Sequence, residues 1–181
     1  VYAVWLIQRS GTAVVDVLTS LSFTAPTMPT SYDRKRLIGY FLTDTGPDII
    51  AFTQSGDYFR LTGAVVTDVD DTTVTAATFE TATLSCPPSC LAHLYCLGYN
   101  PSGSENAGKL YIKTKDAAET ANGSHPWIRV GTSGTFDSMT VQGFVLVNSS
   151  SQIEYALETV ASGEQVSVYM FGCLMLTRSD P

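Results

Sequence analysis

The sequence is short of almost everything that announces chemistry. Only 15% of its 181 residues are charged, and only two are histidine, His93 and His125. No apolar run approaches the roughly 18 residues a membrane-crossing helix needs, so membrane insertion is not expected. A basic-then-apolar leader is missing too. So are G-x-S-x-G, H-E-x-x-H and the phosphate-binding glycine loop, which removes the common signatures of hydrolases, zinc proteases and nucleotide enzymes. No amphipathic helix longer than two turns can be traced. Basic residues are outnumbered ten to seventeen, giving a net charge of −7 and a pI near 4.6. Phosphate backbones repel such a chain unless it segregates a basic face. Its one dense basic run, Arg34-Lys35-Arg36, is too small for that, so nucleic acid is not an expected partner.

What remains is 44% hydrophobic, rich in Val, Thr, Ser, Gly, Tyr and Phe, a mixture that favours strands and turns. Strand signals recur every ~8–15 residues between clusters of Gly, Pro, Asn, Asp and Ser. "VYAVWLIQR" and "TAVVDVLTS" flank Ser10-Gly11, which reads as a two-residue hairpin turn. The prolines of "FTAPTMPTSYD" forbid a central strand and make it a loop. "RLIGYFLT", "DIIAFTQ" and "YFRLTG" follow as a meander turning at Thr45-Gly46-Pro47-Asp48 and Ser55-Gly56-Asp57. The Thr-rich stretch from Ala64 to Leu84 reads as an exposed or edge strand. "LAHLYCLGYN", "KLYIKT", "WIRV", "MTVQGFVLV" and "QIEYALE" continue the series, and the strongly apolar "QVSVYMFGCLML" should be central. About ten to twelve short antiparallel strands without helices predict an all-β sandwich, one domain over residues 1–181.

Candidate sites are sparse. Cys86, Cys90 and Cys96 lie with His93 in "CPPSCLAHLYC", but the spacing does not fit two separated zinc knuckles. Cys86 and Cys90 read instead as a turn, free or bridged, with Cys96 and Cys173 as small buried residues inside strands. No metal or cofactor is expected. Asn122 and Asn148 match the glycosylation acceptor pattern, which has meaning only in a eukaryotic secretory pathway. "DVDD", Asp68 to Asp71, lacks the glycine and distal glutamate of a calcium loop and reads as a solvated acidic turn. His93 reads as a packed or half-exposed strand residue. Trp5, Tyr40, Phe41, Phe52, Tyr58, Phe59, Tyr95, Tyr111, Phe144, Tyr155, Tyr169 and Phe171 nearly all lie inside strand patterns, and by their number most of them are assigned to the core. Tyr32, Tyr99 and Trp127 fall at strand ends or loops, where amphipathic rings can meet a sugar or a protein, and His125 stands beside Trp127. With Arg34, Lys35 and Arg36 these make the expected contact residues.

From Tyr2 to Phe59 the order of elements is specific. It runs from an aromatic-aliphatic strand through "VVDVLTS" (Val14–Ser20) to the Pro loop "TAPTMPTSY" (Thr24–Tyr32). A basic trio leading into "LIG" (Arg34–Gly39), "TD" with a glycine turn, "I-x-x-F-x-Q" (Ile50–Gln54) and "GD-x-F" (Gly56–Phe59) complete it. This third of the chain resembles a module at the C-terminal end of tailed-bacteriophage fibre, spike and other virion appendage proteins. Its "TDTGPD" departs from the family's more usual "TDGSGNI", and Pro47 stiffens that turn. The resemblance implies a jelly-roll-like β-sandwich that forms a homotrimer on the virion and meets other tail or head proteins. A host surface glycan or protein is the implied outer partner. Assembly in the bacterial cytoplasm implies reduced thiols, and the start at Val1 is expected to follow a shaft or attachment segment. Within this frame Arg34-Lys35-Arg36 reads as the solvated entry of a strand, pairing with Asp16, Asp44, Asp57 or a neighbouring subunit's acids. Contact with an anionic polysaccharide is the sharper alternative. The whole reads as a non-enzymatic contact module. The alternatives are a purely structural capsid or tail decoration, and a glycan depolymerase or esterase using Asp68, Asp70 and Asp71.

Overall fold

The computed structural model describes residues 1–63, 65–75, 78–99, 109–118, 128–130, 138–158 and 165–176, with 128–130, 138 and 139 described by backbone alone. Among them thirteen strands are assigned: β1 (Tyr2–Arg9), β2 (Val14–Ser20), β3 (Arg34–Phe41), β4 (Phe52–Ser55), β5 (Tyr58–Leu61), β6 (Val66–Asp71), β7 (Glu80–Thr83), β8 (Leu91–Tyr99), β9 (Leu110–Thr114), β10 (Ile128–Val130), β11 (Ser138–Leu146), β12 (Gln152–Leu157) and β13 (Gln165–Leu174). The described residues contain no helix. The strands pair in three antiparallel sheets, ordered β2-β1-β3, β10-β9-β12-β7 and β11-β8-β13-β5-β4, with β6 added to β13.

The last two sheets face one another as a β-sandwich, and period-two alternation supplies the core. Ala92, Leu94 and Cys96 of β8 and Val166, Val168, Met170 and Cys173 of β13 point inward from one sheet. They meet Leu110 and Ile112 of β9 and Ile153, Tyr155 and Leu157 of β12 from the other. β13 is the central strand that its apolar run predicts. Along one flank it pairs with β8 from Gln165 to Leu174. On the other it pairs with β6 from Val166 to Met170 and with β5 from Gly172 to Leu174. Phe171 bulges where those two partners change over. Gly172 must be glycine, since a Cβ there would lie 2.0 Å from the Phe59 carbonyl oxygen.

The three-stranded sheet buries its inner face, Ala3, Trp5, Ile7 and Leu37, under the loop after β2, with Phe23, Met28 and Tyr32 packed against it. The Trp5 indole N–H donates to the Ser22 carbonyl at 3.1 Å, which pins the loop across the sheet. Phe23 and Met175 also pack on the main core and so join the two.

Two expectations need correction. The first hairpin turns over four residues, 10–13, because Arg9 pairs with Val14. Ala13 takes the left-handed conformation at φ 54°, and this register puts Leu18 opposite Trp5. Second, the strand aromatics are not mostly core but divide between the core and a sheet surface. Trp5, Tyr40, Phe59, Tyr111 and Tyr155 are buried, whereas Tyr58, Tyr95, Phe144, Tyr169 and Phe171 stand on the second face of the six-stranded sheet. A sheet has two faces, and the described residues cover only one of these. Cys96 and Cys173 are buried as expected, and Cys86 and Cys90, left open as free or bridged, are buried as well; all four are free.

Candidate functional site

Two solvent-facing sheet surfaces stand out. The first is the outer face of β2-β1-β3. Odd residues of β1 are buried, so even residues point out. Cross-strand register then places Val17, Leu6 and Arg36 in one row and Val15, Gln8 and Arg34 in the next. Val17 is 62% exposed and Val15, Leu6 and Ile38 are exposed with it. Ile38 joins this face by the alternation that puts Arg34 and Arg36 there, just before the pairing of β1 with β3 shifts between Val4 and Trp5. A concavity of about 570 Å³ runs between Leu6, Val15, Gln8 and the bases of Arg34 and Arg36. Beyond Val15 and Val17 lies the outer edge of β2, which no other described strand pairs with.

The basic trio starts β3, as expected, but it divides between two faces. Arg34 and Arg36 point out. Lys35 turns inward, its ammonium 5.4 Å from the Trp5 ring centroid and donating to the Thr24 carbonyl at 3.2 Å. Asp16 accepts a hydrogen bond from the Tyr32 hydroxyl, a bond that raises the phenol pKa, while Arg9 lies 4.5 Å over the Tyr32 ring. Asp44 accepts from the Gly46 N–H of its own turn at 2.7 Å. Asp33 accepts from the Ser10 hydroxyl and N–H, which together hold its carboxyl below the usual range. Tyr32 therefore belongs to the packed loop rather than to the outer face.

The second surface is the outer face of the six-stranded sheet, and the sequence reading missed it. His93 lies at its centre. Its ring stacks on Phe144 at 4.4 Å and 14° and contacts Phe171 at 5.9 Å. Tyr95 meets Phe171 edge-on at 6.0 Å and Tyr169 at 5.8 Å. The Gln142 amide nitrogen is 3.0 Å from His93 Nε2, and Tyr58 Oη is 2.7 Å from Nδ1. An amide NH₂ only donates, so Nε2 accepts and Nδ1–H donates to Tyr58, leaving the Tyr58 O–H to face solvent. Burial first, and the nearby Arg60 charge second, lower the His93 pKa, so the ring is neutral at pH 7. Arg60 is exposed on β5 and borders a concavity of about 430 Å³ with Thr62, Gly63 and Phe171.

Tyr99, 40% exposed, falls on this second face at the far end of β8, not beside Arg34–Arg36. His125 and Trp127 lie outside the described residues. Local alternation could have exposed the second surface, because His93, Tyr95 and Tyr99 are out of phase with buried Ala92, Leu94 and Cys96. The signal became decisive only when the fold brought Phe144 and Phe171 alongside. Among the described residues no group of three or more His, Cys, Asp or Glu is placed to hold a metal ion. Asp68, Asp70 and Asp71 have distinct settings. Asp68 accepts from the Ser85 N–H at 3.0 Å and burial raises its pKa. Asp70 accepts from the Ser167 hydroxyl at 3.1 Å, and Asp71 from Tyr155 at 2.9 Å.

The chain is thus an all-β sandwich with two sheet faces that the described residues leave uncovered, one aliphatic and basic, the other aromatic. No protein-family model, no curated protein and no solved structure matches it.

Proposed function

We propose that the chain is a non-enzymatic module of a bacteriophage virion appendage, a tail fibre, spike or head-fibre knob, that assembles with copies of itself and contacts the host cell surface. The observation that carries self-association is the aliphatic outer face of β2-β1-β3. Leu6, Val15, Val17 and Ile38 form one exposed cluster next to the outer edge of β2. Contiguous apolar patches and open strand edges of this kind mark surfaces that meet another chain. Arg34 and Arg36 border the patch, and a second copy carrying a net −7 is the acidic partner they suit. The Tyr2–Phe59 resemblance covers the same residues that build this sheet, and the stoichiometry of three and the virion setting come from it.

Sedimentation of the purified chain tests the assembly. The expected mass is three times 19.4 kDa, and Val17→Lys or Leu6→Lys should shift it to one subunit without changing the circular dichroism. A monomer at all concentrations, or a trimer indifferent to both substitutions, overturns the reading. Adsorption of the labelled chain to a panel of bacterial strains tests host contact, with saturable binding to some strains expected and binding to none against it.

A further inference from the structure

We propose that the outer face of the six-stranded sheet is a carbohydrate-binding platform for an acidic glycan, with Phe144, Phe171 and Tyr95 stacking on sugar rings and Arg60 receiving a carboxylate. The inference stands on this face alone and holds whatever the sedimentation result.

Its first support is the placing of the rings. Six of them, Tyr58, His93, Tyr95, Phe144, Tyr169 and Phe171, form an unbroken series of contacts across β5, β8, β11 and β13. None is fully buried, and Phe144 is 42% exposed on the edge strand β11. Half-exposed aromatics gain little for the fold. They do present an electron-rich face, which attracts the weakly positive C–H side of a pyranose. The rings hold one another in place through stacking and through the Gln142–His93–Tyr58 chain, so a ligand would lose little affinity to ordering them.

Polar groups are interleaved with these rings in a way that suits a polyhydroxylated ligand. The Tyr58 hydroxyl, the exposed side chains of Gln142 and Thr140 and the phenols of Tyr95 and Tyr169 all belong to this face. A second copy of the chain would be better served by the aliphatic face of β2-β1-β3, which has few such groups.

Charge then narrows the sugar. Among the described residues Arg60 forms no ion pair. It sits beside Gly172, at the mouth of the concavity under Phe171. Asp70, on the same face, pairs with Ser167 at the opposite end of β13 and is already bonded to it. The face is therefore polarised along the strand, positive by Phe171 and negative near Tyr99. A uronic or sialic acid residue is matched by an unpaired guanidinium next to an aromatic ring, and the neutral remainder of the oligosaccharide can run toward Tyr95 and Tyr169.

The test is titration calorimetry and saturation-transfer NMR on the full chain with tetragalacturonate, an α-2,8-linked sialic acid tetramer and neutral maltotetraose. At least one acidic probe should bind more tightly than maltotetraose, with saturation transferred from aromatic protons. Phe144→Ala and Phe171→Ala should each weaken it at least tenfold, with melting curves confirming that both variants fold. Arg60→Gln should remove the preference for the acidic probe while leaving residual binding comparable to the neutral one. No binding of any probe at millimolar concentration, or binding insensitive to both phenylalanine substitutions, overturns the proposal. So does a change of native mass in Phe144→Ala without loss of sugar binding, which would make this face a contact between copies.

Discussion

Gly172→Ala is expected to be among the most damaging single-methyl additions the chain can receive, and its cost follows from distances. The added Cβ would sit 2.0 Å from the Phe59 carbonyl oxygen and 3.0 Å from the Arg60 Cα. Both are backbone atoms of β5, so no side-chain rotation relieves the clash and β5 must retreat by more than 1 Å, given ordinary non-bonded separations of about 3.5 Å. β5 meets β13 over only three residue pairs. Losing two of its hydrogen bonds costs about 2 kcal/mol. Phe59 is buried against Tyr40, at 4.5 Å, and partial exposure of its ring adds roughly 1–2 kcal/mol. The sum, about 3–4 kcal/mol, is a large part of the roughly 5–15 kcal/mol available to a domain. Two internal controls grade the claim. A Cβ at Gly39 meets the tip of the Phe59 ring at 2.9 Å, which can tilt, so Gly39→Ala should cost about 1–2 kcal/mol. Gly11 has nothing within 4 Å, so Gly11→Ala should change stability by less than about 1 kcal/mol. Urea unfolding followed by tryptophan fluorescence ranks the three. If Gly172→Ala were within about 1 kcal/mol of the parent, or milder than Gly39→Ala, the close approach of β5 and β13 would be wrong.

Three further outcomes are expected. Lys113, 5% exposed, pairs with Glu154 at 2.8 Å, so Glu154→Gln should cost about 3 kcal/mol by stranding a buried charge, whereas Lys113→Met combined with Glu154→Leu should recover most of that in the same urea assay. The four cysteines are free and buried, and burial pushes the Cys96 thiol up to about 12; a colorimetric thiol reagent at pH 8 should therefore titrate none of them in the native protein and all four in urea. The folded-state pKa of His93 is lowered, so as pH falls below the unfolded value of about 6.5 the unfolded chain takes up the proton first and stability declines. His93→Gln should flatten the urea midpoint between pH 7.5 and pH 5, and an unchanged slope would show that His93 titrates alike in both states.

Much of the fold is legible in the chain. Alternation locates β1, β2, β8, β9, β12 and β13, and the long apolar character of β13 marks it as central because it buries contacts on both flanks. The prolines between Phe23 and Tyr32 mark the loop that closes over Trp5. The turn of the first hairpin was not legible, because Ser10-Gly11 has suitable residues while the register is decided by Trp5 facing Leu18. The aromatic face failed for a different reason. Period two separates His93 and Tyr95 from Leu94 and Cys96, but it cannot say which set of side chains another sheet will cover. Phe144 and Phe171 arrive next to His93 from 51 and 78 residues further along the chain, with no local pattern to foretell it. The "FG" pair inside the last apolar run was the one clue, since a glycine within a strand signals a bulge or a close backbone approach. It turned out to be both.

The position of β13 has a consequence for how the protein is made. β5, β6 and β8 all pair with it, and all are synthesised earlier. At ribosomal speeds of about 5–20 residues per second, these strands leave the exit tunnel seconds before the strand that joins them. During that interval each presents an open edge to solvent, and the nascent chain can neither close its larger sheet nor bury Val166, Val168 and Met170. Folding must therefore finish after residues 165–174 have been released, and a message cut shortly before them would leave β5, β6 and β8 without their common partner.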